Sequence, residues 1–209
     1  MKVLGGRLKG RNFYMPQGIR PTQNLVRKAV FDILKDVRGS VFLDIFAGSG
    51  AVGLEACSRG AQRVVFIEKD PSCIQVIREN FELLGLEAPL KAGPQGPGGA
   101  VSSQDPIQLI PGDAFAFLKK SAGRAEKFDI IFFDPPYGRG LGKKTLKTLA
   151  AHDIVQPNSL IIVQTTATET LPKREGRFFL VREKRYGASV LAIYRVMSYE
   201  PSRHLSREL

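Results

Sequence analysis

The sequence predicts an α/β protein: a mixed sheet of seven strands ending in an antiparallel hairpin, preceded by a small basic extension. Three observations carry this. Short runs of Val, Ile, Leu and Phe alternate with segments of helical apolar period, the pattern of a parallel sheet covered on both faces. Gly48, Gly50 and Gly53 satisfy G-x-G-x-x-G between the first such run and a helix, the context that gives the pattern meaning. The last two runs, Phe178-Phe179-Leu180-Val181 and Ser189-Val190-Leu191-Ala192-Ile193-Tyr194, are joined around Tyr186-Gly187-Ala188, a turn too short for a parallel crossover.

The first 38 residues hold a charge imbalance, with Lys2, Arg7, Lys9, Arg11, Arg20, Arg27, Lys28, Lys35 and Arg38 set against Asp32 and Asp36. Gly5, Gly6, Gly10 and Gly18 with Pro16 and Pro21 make the start an irregular or hairpin-like arm. Thr22 can cap a helix whose apolar face is Leu25, Ala29, Val30, Ile33 and Leu34. An arm and helix of this kind suit contact with nucleic-acid phosphates, or cover for one edge of the sheet.

Val41-Phe42-Leu43-Asp44-Ile45 is the first buried strand, followed by the glycine loop and a helix that Gly60 caps. Arg63-Val64-Val65-Phe66-Ile67 is the second, ending at Glu68, where an acidic side chain can hold ribose hydroxyls. Asp70-Pro71 starts the next helix as cap and first-turn proline. Residues 86–106 then shift to Ala, Pro, Gly, Ser and Gln, a flexible insertion. Ile107-Gln108-Leu109-Ile110 is the third strand. Asp113 beyond it suits an adenine amino group or the N-cap of the helix Ala114 to Lys120, and the two uses are compatible. The glycine-rich loop 138–142, a helix marked by Leu146, Leu149 and Ala150, and the strand Leu160-Ile161-Ile162-Val163 lead to the hairpin.

The fourth strand, Asp129-Ile130-Ile131-Phe132-Phe133, ends in Asp134-Pro135-Pro136-Tyr137. Ligands of open α/β sheets bind at such strand tips. Two prolines lack N–H donors and fix φ, so the turn is a rigid rack of acceptors. A carboxylate, a fixed carbonyl and an aromatic face suit an amino group on a planar base. Acceptors aimed at its hydrogens favour pyramidalisation and stabilise the positive charge that develops as the nitrogen attacks. Tyr137 can stack on the base.

At 209 residues the chain suits one α/β domain, and no apolar run approaches the roughly 20 residues of a membrane span. No apolar stretch follows Met1 as in a secretion signal, so a cytoplasmic protein is expected. Cys57 and Cys73 with His152 and His204 give neither a disulfide framework nor a zinc cluster, and no metal is expected. The net charge of +11 and pI near 9.9 are the balance of a polyanion binder.

The two motifs together, in five β-α units with a terminal hairpin, resemble the Rossmann-like class I fold of S-adenosylmethionine-dependent methyltransferases. The chain resembles in particular the bacterial 16S ribosomal RNA guanine-N2 methyltransferase family, over nearly its whole length. The carrying residues are Gly5-Gly6 with Gly10-Arg11, Arg20-Pro21-Thr22, Leu43 to Gly50, Leu54-Glu55-Ala56, Ser58-Arg59-Gly60-Ala61, Asp134 to Tyr137 and Tyr186-Gly187. The resemblance implies S-adenosyl-L-methionine as cofactor and 16S ribosomal RNA, within a small-subunit particle, as substrate of a monomer. It implies catalytic roles for Asp134, Pro135, Pro136 and Tyr137. The implied cofactor-binding set is Arg20, Thr22, Asp44, Phe46, Gly48, Ser49, Gly50, Glu68, Lys69, Asp113, Ala114 and Asp134. Within it Asp44 and the glycine loop cradle the methionine part, Glu68 the ribose and Asp113 the adenine.

The implied organisation is an arm and helix over 1–38, a methyltransferase domain over 39–200 and a polar tail over 201–209. An N6-adenine methyltransferase shares the Asp-Pro-Pro-Tyr motif, and such enzymes usually carry extra sequence for target recognition. A nicotinamide-dependent oxidoreductase shares G-x-G-x-x-G but leaves Asp134-Pro135-Pro136-Tyr137 and the charge unexplained. A non-catalytic RNA-binding module accounts for the charge alone.

Overall fold

A computed structural model of the chain describes residues 1–17, 24–86, 105–121 and 127–197. Arg20, Thr22, the insertion 86–106 except its flanks, and the expected tail 201–209 lie outside them. The parallel strands are β1 (Val41–Ile45), β2 (Arg63–Glu68), β3 (Ile107–Pro111), β4 (Phe128–Phe133) and β5 (Val155–Thr166). An antiparallel end follows, β6 (Arg174–Glu175), β7 (Phe178–Tyr186) and β8 (Ser189–Val196). The sheet runs β3-β2-β1-β4-β5-β8-β7-β6. All seven expected strands are present, and β6 adds a two-residue edge too short to leave a sequence pattern.

The near-continuous apolar runs are explained by cover on both faces. Phe42, Val64, Phe66, Ile130 and Phe132 point into a core shared with helices α1 (Asn24–Leu34), α2 (Ala51–Ser58) and α3 (Pro71–Leu84). Their neighbours Leu43, Ile45, Val65, Ile67, Ile131 and Phe133 point the other way, toward α4 (Ala114–Ser121) and α5 (Leu141–Ala151). This is the period-two alternation of a strand. The winding reverses between β1 and β4, so their C-terminal tips flank the crevice where such sheets bind ligands. No helix among the described residues is long and apolar enough to cross a membrane.

The helix α1 buries Ala29, Val30 and Leu34 as expected and half-buries Ile33, but its inward face is turned toward Val26 and Phe31. Val26 and Phe31 are buried with Ala29, Val30 and Leu34, while Leu25 is 58% exposed. The shift of phase follows from Arg27, which is fully buried and donates to the Lys2 carbonyl. Its guanidinium lies 3.9 Å from Glu55 of α2, itself buried. Glu55 also accepts from the Leu4 amide at 2.8 Å and from Arg59 at 2.9 Å, and so ties arm, α1 and α2 together. Arg27 therefore leaves the basic face, on which Lys2, Arg7, Lys9, Lys28 and Lys35 remain exposed.

The arm packs on the end of α2 through its glycine pair. Gly6 has φ +74°, and a Cβ there would stand 1.9 Å from the Ser58 carbonyl oxygen. That approach lets the Arg7 amide donate to the same carbonyl at 2.8 Å and the Leu8 amide to Ser58 Oγ at 2.9 Å. Arg11 in turn donates to the Leu84 carbonyl at 3.0 Å, closing the C-terminal end of α3. Gly6→Ala combines a left-handed backbone with overlap against a carbonyl that cannot rotate away. It should lower unfolding free energy by about 2 kcal/mol. Urea unfolding measures this, and an unchanged midpoint would show that the arm contributes nothing to stability.

Candidate active site

The chain turns sharply as it leaves β1. Phe46 has φ 60°, a costly conformation for a bulky residue, and Gly48 and Gly50 are also left-handed at φ 57° and 76°. Gly53, in the first turn of α2, admits the Phe66 ring so closely that a Cβ would stand 2.2 Å from it. The Gly53 amide donates to Asp44 Oδ2 at 2.8 Å. Burial pushes the Asp44 carboxyl well above the usual carboxylate range; the Gly53 bond opposes this, and the charges of Glu68 and Asp134 add to it.

At the tip of β2, Glu68 is held by backbone donors. Its Oε2 accepts from the Gly48 amide at 2.8 Å, and its Oε1 from the Lys69 and Asp70 amides, each at 2.8 Å. Asp70 caps α3, accepting from Ser72 at 2.9 Å and from Cys73 at 3.2 Å. Beyond β4, Asp134 is half-buried and Pro135 buried, while Tyr137 is 40% exposed. The Tyr137 hydroxyl donates to Asp134 Oδ1 at 3.0 Å and accepts from Gln164 Nε2, at the end of β5, at 3.1 Å. The ring is thereby pinned at its polar end.

These tips enclose one cavity of about 400 Å³. Asp44, Phe46, Gly48, Ser49, Glu68, Lys69 and Asp134 to Tyr137 all line it. Its ionisable groups are Asp44, Glu68, Asp70 and Asp134 against Lys69. An acidic hollow in a protein of net charge +11 is suited to a cationic ligand.

The family model for conserved hypothetical protein 95 matches residues 1–195. Ribosomal RNA small subunit methyltransferase D of Escherichia coli K12 is 32% identical over 197 residues, spanning 93% of this chain and 89% of that protein. The chain belongs to this ribosomal RNA methyltransferase family. Among solved structures, the Escherichia coli protein yhhF superposes with a TM-score of 0.75 at 28% identity, over 95% of this chain and 99% of that one. An RNA methyltransferase from Salinibacter ruber in complex with S-adenosyl-L-homocysteine superposes with a TM-score of 0.60 at 17% identity, over 88% and 97%. The fold is the Rossmann-like class I methyltransferase fold.

In this methyltransferase-family chain, three of the expected cofactor residues lie beside the cavity rather than on it. Gly50 sits at the start of α2, and Asp113 caps α4, accepting from Phe115 at 2.9 Å and Ala116 at 3.0 Å. Ala114 is buried beneath that turn. Arg20 and Thr22 fall outside the described residues. Met15, Val52, Asp70, Cys73, Gln164 and Ser189 line the cavity without having been expected there. Gln164 had one signal, a polar side chain at the tip of a buried strand. Burial holds the Cys73 thiol up at about 11 and the Cys57 thiol at about 12, so neither is a thiolate near neutrality. Among the described residues no cluster of His, Cys, Asp and Glu is placed to hold a metal ion.

Proposed function

We propose that this protein transfers a methyl group from S-adenosyl-L-methionine to the exocyclic N2 amine of a guanine in 16S ribosomal RNA. The observation that carries the reading is the meeting of Asp134-Pro135-Pro136-Tyr137 with Asp44 and Glu68 across one acidic cavity. The donor set suits a sulfonium. It does not suit a dinucleotide, since the Gly48 amide that would face a pyrophosphate is given to Glu68.

Bound in the cavity, S-adenosylmethionine supplies an electrophilic methyl group. Asp44 and the loop Phe46, Gly48 and Ser49 hold its amino-acid end, and Glu68, oriented by three backbone amides, faces the ribose hydroxyls. Lys69 lies beside Glu68; Arg20, Thr22, Gly50, Asp113 and Ala114 keep their cofactor roles on the family resemblance. Asp134 and the Pro135 carbonyl accept from the guanine amine, draw it toward a pyramidal geometry and stabilise its rising positive charge. The pinned Tyr137 ring is the stacking platform, and either Asp134 or water takes the proton that the nitrogen sheds. Lys2, Lys9, Lys28 and Lys35 supply phosphate contacts.

Methyl transfer to naked 16S RNA and to isolated small-subunit particles, with nicotinamide dinucleotide binding as the control, tests the reading. Transfer with no dinucleotide binding is the expected result; dinucleotide binding without transfer would contradict it. Rising salt should weaken RNA binding steeply and cofactor binding little.

Asp44 gives a pH signature. Its folded-state carboxyl is raised above the unfolded value, so its contribution to the stability of the cofactor-free protein is full at low pH. That contribution is lost as pH rises from the unfolded value through the raised one. A cation beside Asp44 draws its proton off, so cofactor affinity should increase with pH over that window. Calorimetry in buffers of different ionisation enthalpy should detect proton release that Asp44→Asn abolishes. Equal release from the variant would assign the proton elsewhere.

A further inference from the structure

Gln164 stands at the C-terminal end of β5, is 3% exposed, and lines the cavity next to Tyr137. Its Nε2 donates to the Tyr137 hydroxyl at 3.1 Å, while its Oε1 is buried with no hydrogen-bond partner among the described residues. A buried acceptor left without a donor is unfavourable, and in a binding cavity it marks a place where a ligand donor belongs.

The orientation of this amide follows from counting protons. A phenol has one hydrogen to give. Tyr137 gives its hydrogen to Asp134 Oδ1 at 3.0 Å, so toward Gln164 it can only accept. Gln164 must therefore turn its NH2 to Tyr137, which commits its oxygen as an acceptor. Turning the amide over would require the Tyr137 proton to leave a carboxylate for a neutral carbonyl, a weaker partner. The cavity wall thus carries two acceptor side chains, Asp134 and, with its oxygen buried in that wall, Gln164, bridged by one tyrosine.

We propose that Gln164 determines base specificity: its Oε1 accepts the ring N1–H of guanine while Asp134 holds the adjacent exocyclic amine. The proposal rests on the guanine-N2 reading above and deepens it. Among the amino-bearing bases only guanine carries a ring N–H beside its amine, so two neighbouring acceptors match its Watson–Crick edge. Adenine and cytosine carry a bare ring nitrogen there. That lone pair would face the Gln164 oxygen, acceptor against acceptor. The Asp134-Pro135-Pro136-Tyr137 turn recognises an amine on a base; Gln164 selects which base.

The test uses the full-length protein and RNA bearing 2,6-diaminopurine at the position methylated in unmodified RNA. This analogue keeps the 2-amine but has a bare N1. The wild-type protein should prefer guanine by on the order of 10²-fold in kcat/KM. Gln164→Met, similar in length and without an acceptor oxygen, should bring that ratio close to unity by losing rate on guanine. Cofactor binding by the variant serves as its folding control. Discrimination that survives in Gln164→Met overturns the proposal. If the variant does not fold, the wild-type ratio decides alone, and equal rates on the two bases overturn it. Failure of the wild-type protein to make N2-methylguanosine from unmodified RNA is a different outcome: it removes the guanine-N2 reading and this proposal with it.

Discussion

Asp134→Asn should lower kcat for methyl transfer by about 10²-fold or more, with a much smaller change in KM for RNA. The substitution preserves volume and the acceptor for the Tyr137 hydroxyl at Oδ1. It replaces the negative charge beside the amine with a neutral amide, and a second donor then faces a donor. The interaction removed is one that strengthens as the nitrogen becomes positive, so the loss falls on the chemical step. On the proposed reading RNA affinity is spread over the exposed lysines of the arm and helix α1, and it should persist. Steady-state kinetics with the RNA substrate separate the two parameters. A variant whose loss lay wholly in KM would place Asp134 in ground-state binding.

The largest effect on stability is expected at Glu55, far from the chemistry. Glu55→Ala strips the counter-charge from a fully buried guanidinium and leaves the Leu4 amide without its acceptor. Burial already lowers the Arg27 pKa; Glu55 opposes that shift and Arg59 adds to it, so removing Glu55 deepens it. Breaking a buried pair from one side costs about 3–5 kcal/mol. Chemical denaturation should show that loss in Glu55→Ala. The double variant Arg27→Met with Glu55→Leu should recover much of it, because two apolar groups need no partner. A double variant as unstable as Glu55→Ala would shift the explanation to the lost Leu4 and Lys2 backbone contacts.

Glu55 also shows what the sequence conceals. The strands were legible because the middle of a parallel strand covered on both faces is written in apolar residues, as in the Val64-Val65-Phe66-Ile67 run inside Arg63–Glu68, every residue of which is buried. The tips were legible because Asp44, Glu68 and Asp134 interrupt or end those runs. The first part of β5 was hidden by Pro157 and by Asn158, whose φ is 66°, so the strand reads only from Leu160. The helix α1 was placed but turned by about one residue. Its true face includes an arginine that, besides the nearby Asn24 side chain, is held by the Lys2 carbonyl and Glu55, far away in the chain. Gln164 was missed for the same reason: a glutamine is buried when a distant residue supplies its bond, and Tyr137 does so. Polar groups inside a core are set by tertiary pairing, on which local periodicity carries no information.

The proposed reaction is methylation of a guanine amine at the tip of β4. Nucleoside analysis of RNA labelled by the wild-type protein from methyl-labelled S-adenosylmethionine, on naked 16S RNA and on small-subunit particles in parallel, tests it most directly. N2-methylguanosine, formed about 10²-fold or more slowly when Asp134→Asn replaces the wild type, is the predicted result. N6-methyladenosine as the product would contradict the assigned base, and with it the pairing of Asp134 and Gln164 as acceptors for guanine.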